Sequence, residues 1–319
     1  MTTRRWQDWS CEVTVSVGAG PVPDEATTIV RDLMSEVEQA VSRFTDSEIQ
    51  YLNSHPDSPI TLSPLAFHLV VTGVEAARRT GGALDPTLGT DLVRCGYDDD
   101  IAAVRTRPAP VVADRGGRSR SGQARSGRSR SGQWRALRLD HERREVTVPA
   151  GMTVDLGATA KAWTADEAAT RVAHALDTPA LVGIGGDLAA AGHAEQPWQI
   201  DASEVPGGPA TRIGLGHGGL ATSSVLARSW SDATGGTAHH IIDPRTGAPA
   251  IGRWRTASVW ARSALAANVA STWVLVEANP AITHLLAERA PARLVGTDGT
   301  ITRLGTWPHE QPTTPEVAA

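Results

Sequence analysis

Residues 154–166 read VDLGATAKAWTAD, a short apolar run that meets a glycine and continues as an alanine-rich segment. The pattern predicts a strand running from Glu145-Val146-Thr147-Val148 through Met152 to Asp155, a break at Gly157 and then a helix. Ala165, Ala168, Val172 and Leu176 share the spacing of one helical face and are its predicted inward positions. A strand that turns at glycine into a helix start leaves several backbone N–H groups unpaired beside the positive end of the helix dipole, and both suit a phosphate. Lys161 falls in the first turn of that helix and is the only lysine in a chain with 30 Lys plus Arg. Lysine kept where arginine is used everywhere else points to a compact point charge in place of a planar fork. A solvated helix start with one lysine left over from a drift toward arginine gives the same pattern, because a strand–glycine–helix turn is a weak motif by itself.

Toward the N-terminus, Cys11 to Val17 alternates as an early strand does, and Ala26 to Ser42 carries a helical stripe at Ile29, Leu33, Val37, Ala40 and Val41 behind acidic Asp24 and Glu25. In FTDSEIQYLNSHP (44–56), Ser47 is placed to cap a short turn over Glu48 to Leu52, and Pro56 ends it. Asn53 reads as a turn or capping residue before it reads as a ligand contact. Ser63 to Arg79 is a second amphipathic helix, capped by Ser63 with Pro64 in its first turn. Gly81-Gly82 closes it, and Asp85-Pro86-Thr87 follows as a turn whose backbone could approach a ligand closely; Asp-Pro also makes turns with no ligand to serve.

Residues 115–133 differ in kind. GRSRSGQ occurs at 117–123 and again at 127–133, in a setting of Arg, Ser and Gly with little apolar area to set against ordering, which predicts a flexible surface loop. Arg/Ser repeats also bind RNA or acidic partners, but this tract is short and the chain carries a net charge of −5, which argues against a nucleic-acid binder.

Toward the C-terminus, ALVGIGGDLAAAG (180–192) predicts a buried strand over Leu181 to Ile184, a Gly-Gly break and Asp187 before the strand resumes. The glycines either clear room for a flat ligand or form a tight turn. Trp198 to Ala202, Thr211 to Leu215 and Leu220 to Ser224 read as further strands. In AHHIIDPRTGAPA (238–250), His239 and His240 stand before an apolar pair and a Pro/Gly turn, so a structural and a functional role are both open for them. Ala257 to Ala261 reads as a strand that leads into a long alanine-rich helix. There Asn268 and Thr272 stand four apart on one face, and polar groups on such a face require a ligand or another partner. The Pro/Thr-rich residues 308–319 are predicted to be disordered.

Hydrophobic content of 40% and charge of 20% over 319 residues describe a globular chain with a sizeable core. No apolar run approaches the roughly 18 to 20 residues that span a bilayer. MTTRRWQDWSCEVTV shows no apolar signal region, and Cys11 and Cys95 are too few for a zinc site or a disulfide framework, so a cytoplasmic location is expected.

Five stretches in this order, SEIQYLN, GGALDPTLG, VDLGATAKAWTAD, IGGDLAAAG with ATSS, and HHIIDPRTGAP followed by AANVAST, resemble the ApbE family of FAD:protein FMN transferases, especially its actinobacterial members. The similarity covers Trp9 to Arg289 apart from the Arg/Ser loop, a domain of residues 8–290. The resemblance implies an α+β, T-fold-like architecture of two lobes with a flavin cleft between them. It also implies a reaction in which FAD is cut at its pyrophosphate, FMN passes to a Thr or Ser hydroxyl of an acceptor flavoprotein, AMP leaves and Mg²⁺ assists. Carried over by residue, Asp155 and Lys161 contact FAD, with Lys161 also catalytic. Ala83, Leu84 and Asp85 line the nucleotide, Ile242 meets the flavin, and His240 is the base. The main-chain oxygen of Ala158 and the side chains of Asn268 and Thr272 hold Mg²⁺.

The chain departs from the family pattern in places. Asn268 stands where the family often has Asp, which keeps an oxygen ligand but removes a charge. Ala158 and Ala162 stand where glycine is common, and Trp9-Ser10-Cys11 near the usual Met-Gly-Thr. A FAD pyrophosphatase and a flavin-binding protein without turnover are the alternatives on the same fold, and a partner-binding module built on the Arg/Ser tract is a third.

Overall fold

The computed structural model describes residues 2–18, 20–107, 132–204, 210–232 and 236–309. They fall into two compact units, one of residues 1–34, 161–224 and 252–319 and the other of residues 35–160 and 225–251. The helices are α1 (Asp24–Val41), α2 (Glu48–Ser54), α3 (Pro64–Arg79), α4 (Gly89–Arg94), α5 (Ile101–Thr106), α6 (Ala160–Ala175), α7 (Ala264–Val276) and α8 (Ala278–Ala287).

The first unit is built on an eight-stranded sheet of β1 (Thr3–Asp8), β2 (Cys11–Val17), β3 (Ala180–Ile184), β4 (Asp187–Ala191), β5 (Gly218–Ser224), β6 (Trp254–Ala261), β7 (Ala292–Gly296) and β8 (Ile301–Leu304). Their order across the sheet is their order along the chain, and every neighbouring pair is antiparallel. A wholly antiparallel sheet whose helices fall in blocks between β2 and β3 and between β6 and β7 is α+β, as expected. All five residues of β3 are buried, which explains the unbroken apolar reading of that segment. Leu181 and Leu220 pack with Trp198 and Leu215 of a hairpin formed by Trp198–Ser203 and Ala210–Leu215. Helix α7 packs on β5 and β6.

In the second unit, α2 and α3 start where the capping pattern predicts: Ser47 Oγ accepts from Gln50 N at 3.1 Å and Ser63 Oγ from Ala66 N at 3.2 Å. Glu145–Thr147 is the middle strand of a three-stranded sheet with Ile60–Thr61 and Arg138–Asp140. An apolar core gathers Leu88, Leu92, Tyr97, Trp230 and Ile242.

Several expectations are corrected. The strand expected from Glu145 to Asp155 ends at Thr147, because Pro149 offers no N–H to a ladder and Gly151 turns the chain at φ +83, with Met152 N–H donating to Pro149 O at 3.1 Å. Only Thr153 resumes pairing, as a single parallel bridge to Leu88. Helix α6 buries Ala165, Ala168 and Val172 as expected, whereas Leu176 lies past its end and is half-buried. The inward stripe of α1 runs through Val30, Leu33, Val37 and Ala40, with Ile29 and Val41 half-buried at its edges. Strand β1 is unannounced by its sequence, since TRRWQD is polar and pairs only with β2. Most of the expected 115–133 loop lies outside the described residues; its last two, Gly132 and Gln133, lead into a 3₁₀ turn over Gln133–Ala136. Of the expected tail, Pro308 and His309 are irregular and the rest lies outside the described residues.

Gly219 in β5 is where the sheet meets the start of α7. A Cβ there would stand 2.0 Å from Ala264 N and 2.4 Å from Ser263 C, which are backbone atoms and cannot swing aside. Gly219→Ala is therefore expected to cost about 3 kcal/mol by overpacking, read as a lowered urea midpoint. Gly216→Ala, whose Cβ would lie 4.0 Å from Pro197, should stay within about 0.5 kcal/mol.

Candidate functional site

In the second unit the expected nucleotide-lining residues follow α3. Thr80 Oγ1 accepts from Leu84 N at 3.1 Å, and Gly82, at φ +97, donates its N–H to Ala77 O at 2.7 Å, so the chain leaves the helix in a fixed direction. Ala83, Leu84 and Asp85 are all buried. Asp85 Oδ1 accepts from Thr87 N at 2.9 Å and from Thr87 Oγ1 at 2.5 Å, closing the Asp-Pro-Thr turn. Burial pushes the Asp85 carboxyl above the usual carboxylate range, against the opposing pull of hydrogen bonds from Thr87 and Trp134.

Pro86 O accepts from Asp155 N at 2.9 Å, which ties this turn to the 154–159 segment. Asn53 holds the same segment from the other side: its Nδ2 donates to Val154 O at 2.9 Å and its Oδ1 accepts from Val154 N at 2.8 Å. Asn53 is thus a long-range backbone clamp and not the local turn or cap residue its context suggested. Asp155 Oδ1 accepts from Gly157 N at 2.8 Å, while Oδ2 pairs with Arg43 Nε at 2.8 Å, and both side chains are largely buried. Arg43 also donates to Tyr97 O at 2.6 Å and lies over the rings of Phe44 and Tyr97. Leu84, Asp85, Pro86, Asp155 and Ala158 surround a recess of about 10 Å³, room for one water molecule. Gly73 forms part of its wall, since a Cβ there would lie 2.8 Å from Leu156 and 3.2 Å from Pro86. Four expected site residues thus meet at one place.

Ile242 and the histidines lie elsewhere in this unit. Ile242 is buried in the apolar core with Leu88 and Trp230, and Asp243 after it clasps Arg245 through Nε at 2.9 Å. His239 turns inward, its Nε2 within 3.1 Å of Ala250 O, so that nitrogen carries the proton; its Nδ1 is buried without a partner among the described residues. His240 follows at the bend after the strand Thr237–His239, part-buried, with its N–H donating to Arg228 O at 3.2 Å.

The remaining expected residues belong to the first unit. Lys161 is the second residue of α6 and half-buried. Asp166, on the same helix, accepts from Ala264 N at 2.7 Å through Oδ1 and from Leu265 N at 2.9 Å through Oδ2. Ser263 Oγ accepts from Ala266 N at 3.1 Å, so three N–H groups at the start of α7 are satisfied. Burial pushes the Asp166 carboxyl up, opposed by these N–H donors. Along α7, Asn268 Nδ2 donates to Asp187 Oδ1 at 2.9 Å, and Thr272 Oγ1 lies 2.8 Å from Ser223 Oγ. Arg43 was absent from the sequence reading, and Asp166, Ser223 and Asp187 carried no role there; each acts over a long sequence separation that no local pattern announces.

Residues 8–294 match a family model described as the ApbE family. A FAD:protein FMN transferase of Treponema pallidum (strain Nichols) is 29% identical over 251 residues, which span 71% of this chain and 64% of that protein. One from Haemophilus influenzae is 26% identical over 260 residues, spanning 77% of this chain and 71% of that protein. Among solved structures, the ApbE protein of Thermotoga maritima superposes with a TM-score of 0.79 at 23% identity, covering 94% of this chain and 96% of that one. Pseudomonas stutzeri flavinyl transferase ApbE gives 0.73 at 20% identity, covering 94% and 93%. At these identities the superpositions establish the fold.

Burial holds the His239 imidazole below the usual histidine range and outweighs the opposing effect of Ala250 O. The folded form is then the neutral one, so stability is fully present above the unfolded value of about 6.5 and is lost as pH falls through the lowered folded value. The melting temperature should fall as the pH is lowered below about 6.5. His239→Gln, whose amide can still donate to Ala250 O, should flatten that drop when the two proteins are melted side by side.

Proposed function

The chain belongs to the ApbE family, and on that footing we propose that it transfers the FMN moiety of FAD to a Thr or Ser hydroxyl of an acceptor flavoprotein, releasing AMP. The family match over residues 8–294 is the observation that carries the reading. The meeting of Leu84, Asp85, Asp155 and Ala158 at one recess supports it. In the reaction the acceptor oxygen forms a bond to the FMN phosphorus and the bond from that phosphorus to the AMP oxygen breaks. The hydroxyl proton passes to His240, a role that requires a side chain able to accept a proton near the working pH. Lys161 supplies compact positive charge to the pyrophosphate, and phosphoryl transfer depends mainly on such positioning and neutralisation. Ala83, Leu84 and Asp85 line the nucleotide, Asp155 contacts FAD and Ile242 borders the flavin. Asp155 serves through a carboxylate that Arg43 and Gly157 already orient.

Asn268, Thr272 and the main-chain oxygen of Ala158 are the residues that would hold Mg²⁺. The side chains of α7 fit a hard cation: Asn268 Oδ1 is a buried acceptor without a donor among the described residues, and Thr272 contributes a hydroxyl. Bound there, the cation would neutralise charge developing on the phosphate oxygens. None of the described helices is long and apolar enough to cross a membrane. We place the protein in the cytoplasm, a compartment that keeps cysteines such as Cys11 and Cys95 reduced.

Incubation of an acceptor flavoprotein domain with this protein, FAD and Mg²⁺ is expected to add one FMN mass to a Thr or Ser of the acceptor, and EDTA to abolish the gain. His240→Ala should still bind FAD yet lose transfer by roughly 10²-fold or more. FAD bound with no mass gain on any acceptor would instead support the flavin-binding reading that Asn268 raises. FMN and AMP released without an acceptor would support a pyrophosphatase.

A further inference from the structure

The amide of Asn268 is oriented by its neighbour. Its Nδ2 donates to Asp187 Oδ1 at 2.9 Å, and a carboxylate only accepts, so the amide must show its NH₂ to Asp187 and turn its oxygen away. That oxygen is the buried acceptor left without a donor among the described residues. Asp187 is itself held in place: it is 3% exposed and begins β4 directly after Gly185-Gly186. Gly185 sits at φ +62, and a Cβ on Gly186 would stand 2.6 Å from Thr222 O, so only glycine lets this turn lie so close to β5. Thr222 N–H donates to Gly186 O at 2.9 Å and fixes the approach. The carboxylate therefore stands on the sheet, and the amide stands on a helix whose first turn Asp166 pins.

We propose that Asp187 is a positioning residue for the divalent cation, acting through Asn268 by holding the amide with Oδ1 as the metal ligand. The proposal rests on the assignment of Asn268 to the cation site. An asparagine alone could present either end of its amide, and the carboxylate beside it removes the choice. It also accounts for the amide at position 268: a carboxylate there would face a second carboxylate across the same short separation, and two like charges so close disfavour each other's ionisation. Asn268 and Asp187 together thus replace a single charged ligand with a neutral ligand and a charge one hydrogen bond behind it.

Mn²⁺ is the probe, its free concentration read by electron paramagnetic resonance as the EDTA-stripped full chain is titrated with FAD present, so that binding and not turnover is measured. Asn268→Ala and Asp187→Ala should each weaken Mn²⁺ binding by about 10- to 100-fold. Asp187→Asn, which can offer Asn268 either end of its amide and lacks the charge, should fall between wild type and Asp187→Ala. The swapped pair N268D/D187N, in which amide and carboxylate trade places, should bind at least as tightly as wild type. Unchanged binding in Asn268→Ala would overturn the assignment of Asn268 itself. Loss in Asn268→Ala with none in Asp187→Ala would leave that assignment standing and overturn the role of Asp187. Asp187→Asn as tight as wild type would also overturn it, since an acceptor-only carboxylate would then not be what orients the amide. Should Asp187→Ala fail to fold, as shown by circular dichroism, the swapped pair decides: no Mn²⁺ binding there overturns the proposal.

Discussion

The carboxylate of Asp166 holds the first unit in register. It is a buried anion whose two oxygens each take an N–H from the first turn of α7, so a side chain of one helix caps another. Desolvation disfavours its charge, and the unpaired N–H groups at the helix start partly offset that. A cap with two bonds fixes the rotation of α7 about its axis as well as its position. That rotation aims Asn268 at Asp187 and, one turn on, Thr272 at Ser223. It also couples these groups to Lys161, which lies on the same helix as Asp166.

The second unit reaches a comparable order without long elements at its site. The segments carrying Asp85 and Asp155 are irregular, and irregular backbone is fixed only if its polar groups find partners. Asn53 supplies a donor and an acceptor to Val154, Pro86 O takes the N–H of Asp155, and Thr80 Oγ1 takes that of Leu84. Arg43 then neutralises Asp155 where water is largely excluded, with two aromatic rings beneath its guanidinium. A buried carboxylate is costly alone, and the ion pair is what allows Asp155 to sit there.

How much of this could be read beforehand depended on the range of the interaction. Caps at Ser47 and Ser63 and strands β2, β3 and β5 are written in neighbouring residues, and they were legible. The strand expected to reach Asp155 was not, because apolar side chains continued past Pro149 while the backbone could no longer pair. Asp166, Arg43 and Asp187 find partners far along the chain, and a single sequence holds no trace of such pairings. Candidate site residues were legible only through resemblance to a family, since nothing in composition or spacing distinguishes a flavin from another phosphate-bearing ligand.

The agreement between strand order and chain order has a consequence for synthesis. Every neighbouring pair in the sheet is made of consecutive strands, yet residues 18–179 separate β2 from β3, and Val17 must find Ala180 across that interval. At the roughly 5–20 residues per second of translation, the β1–β2 hairpin leaves the ribosome about ten seconds or more before its partner. For that time Cys11 to Val17, a strand with one apolar face and one unpaired edge, is open to any other chain that offers a strand. Crowded polysomes, where several such hairpins emerge together, are therefore where this fold is most exposed to misassembly.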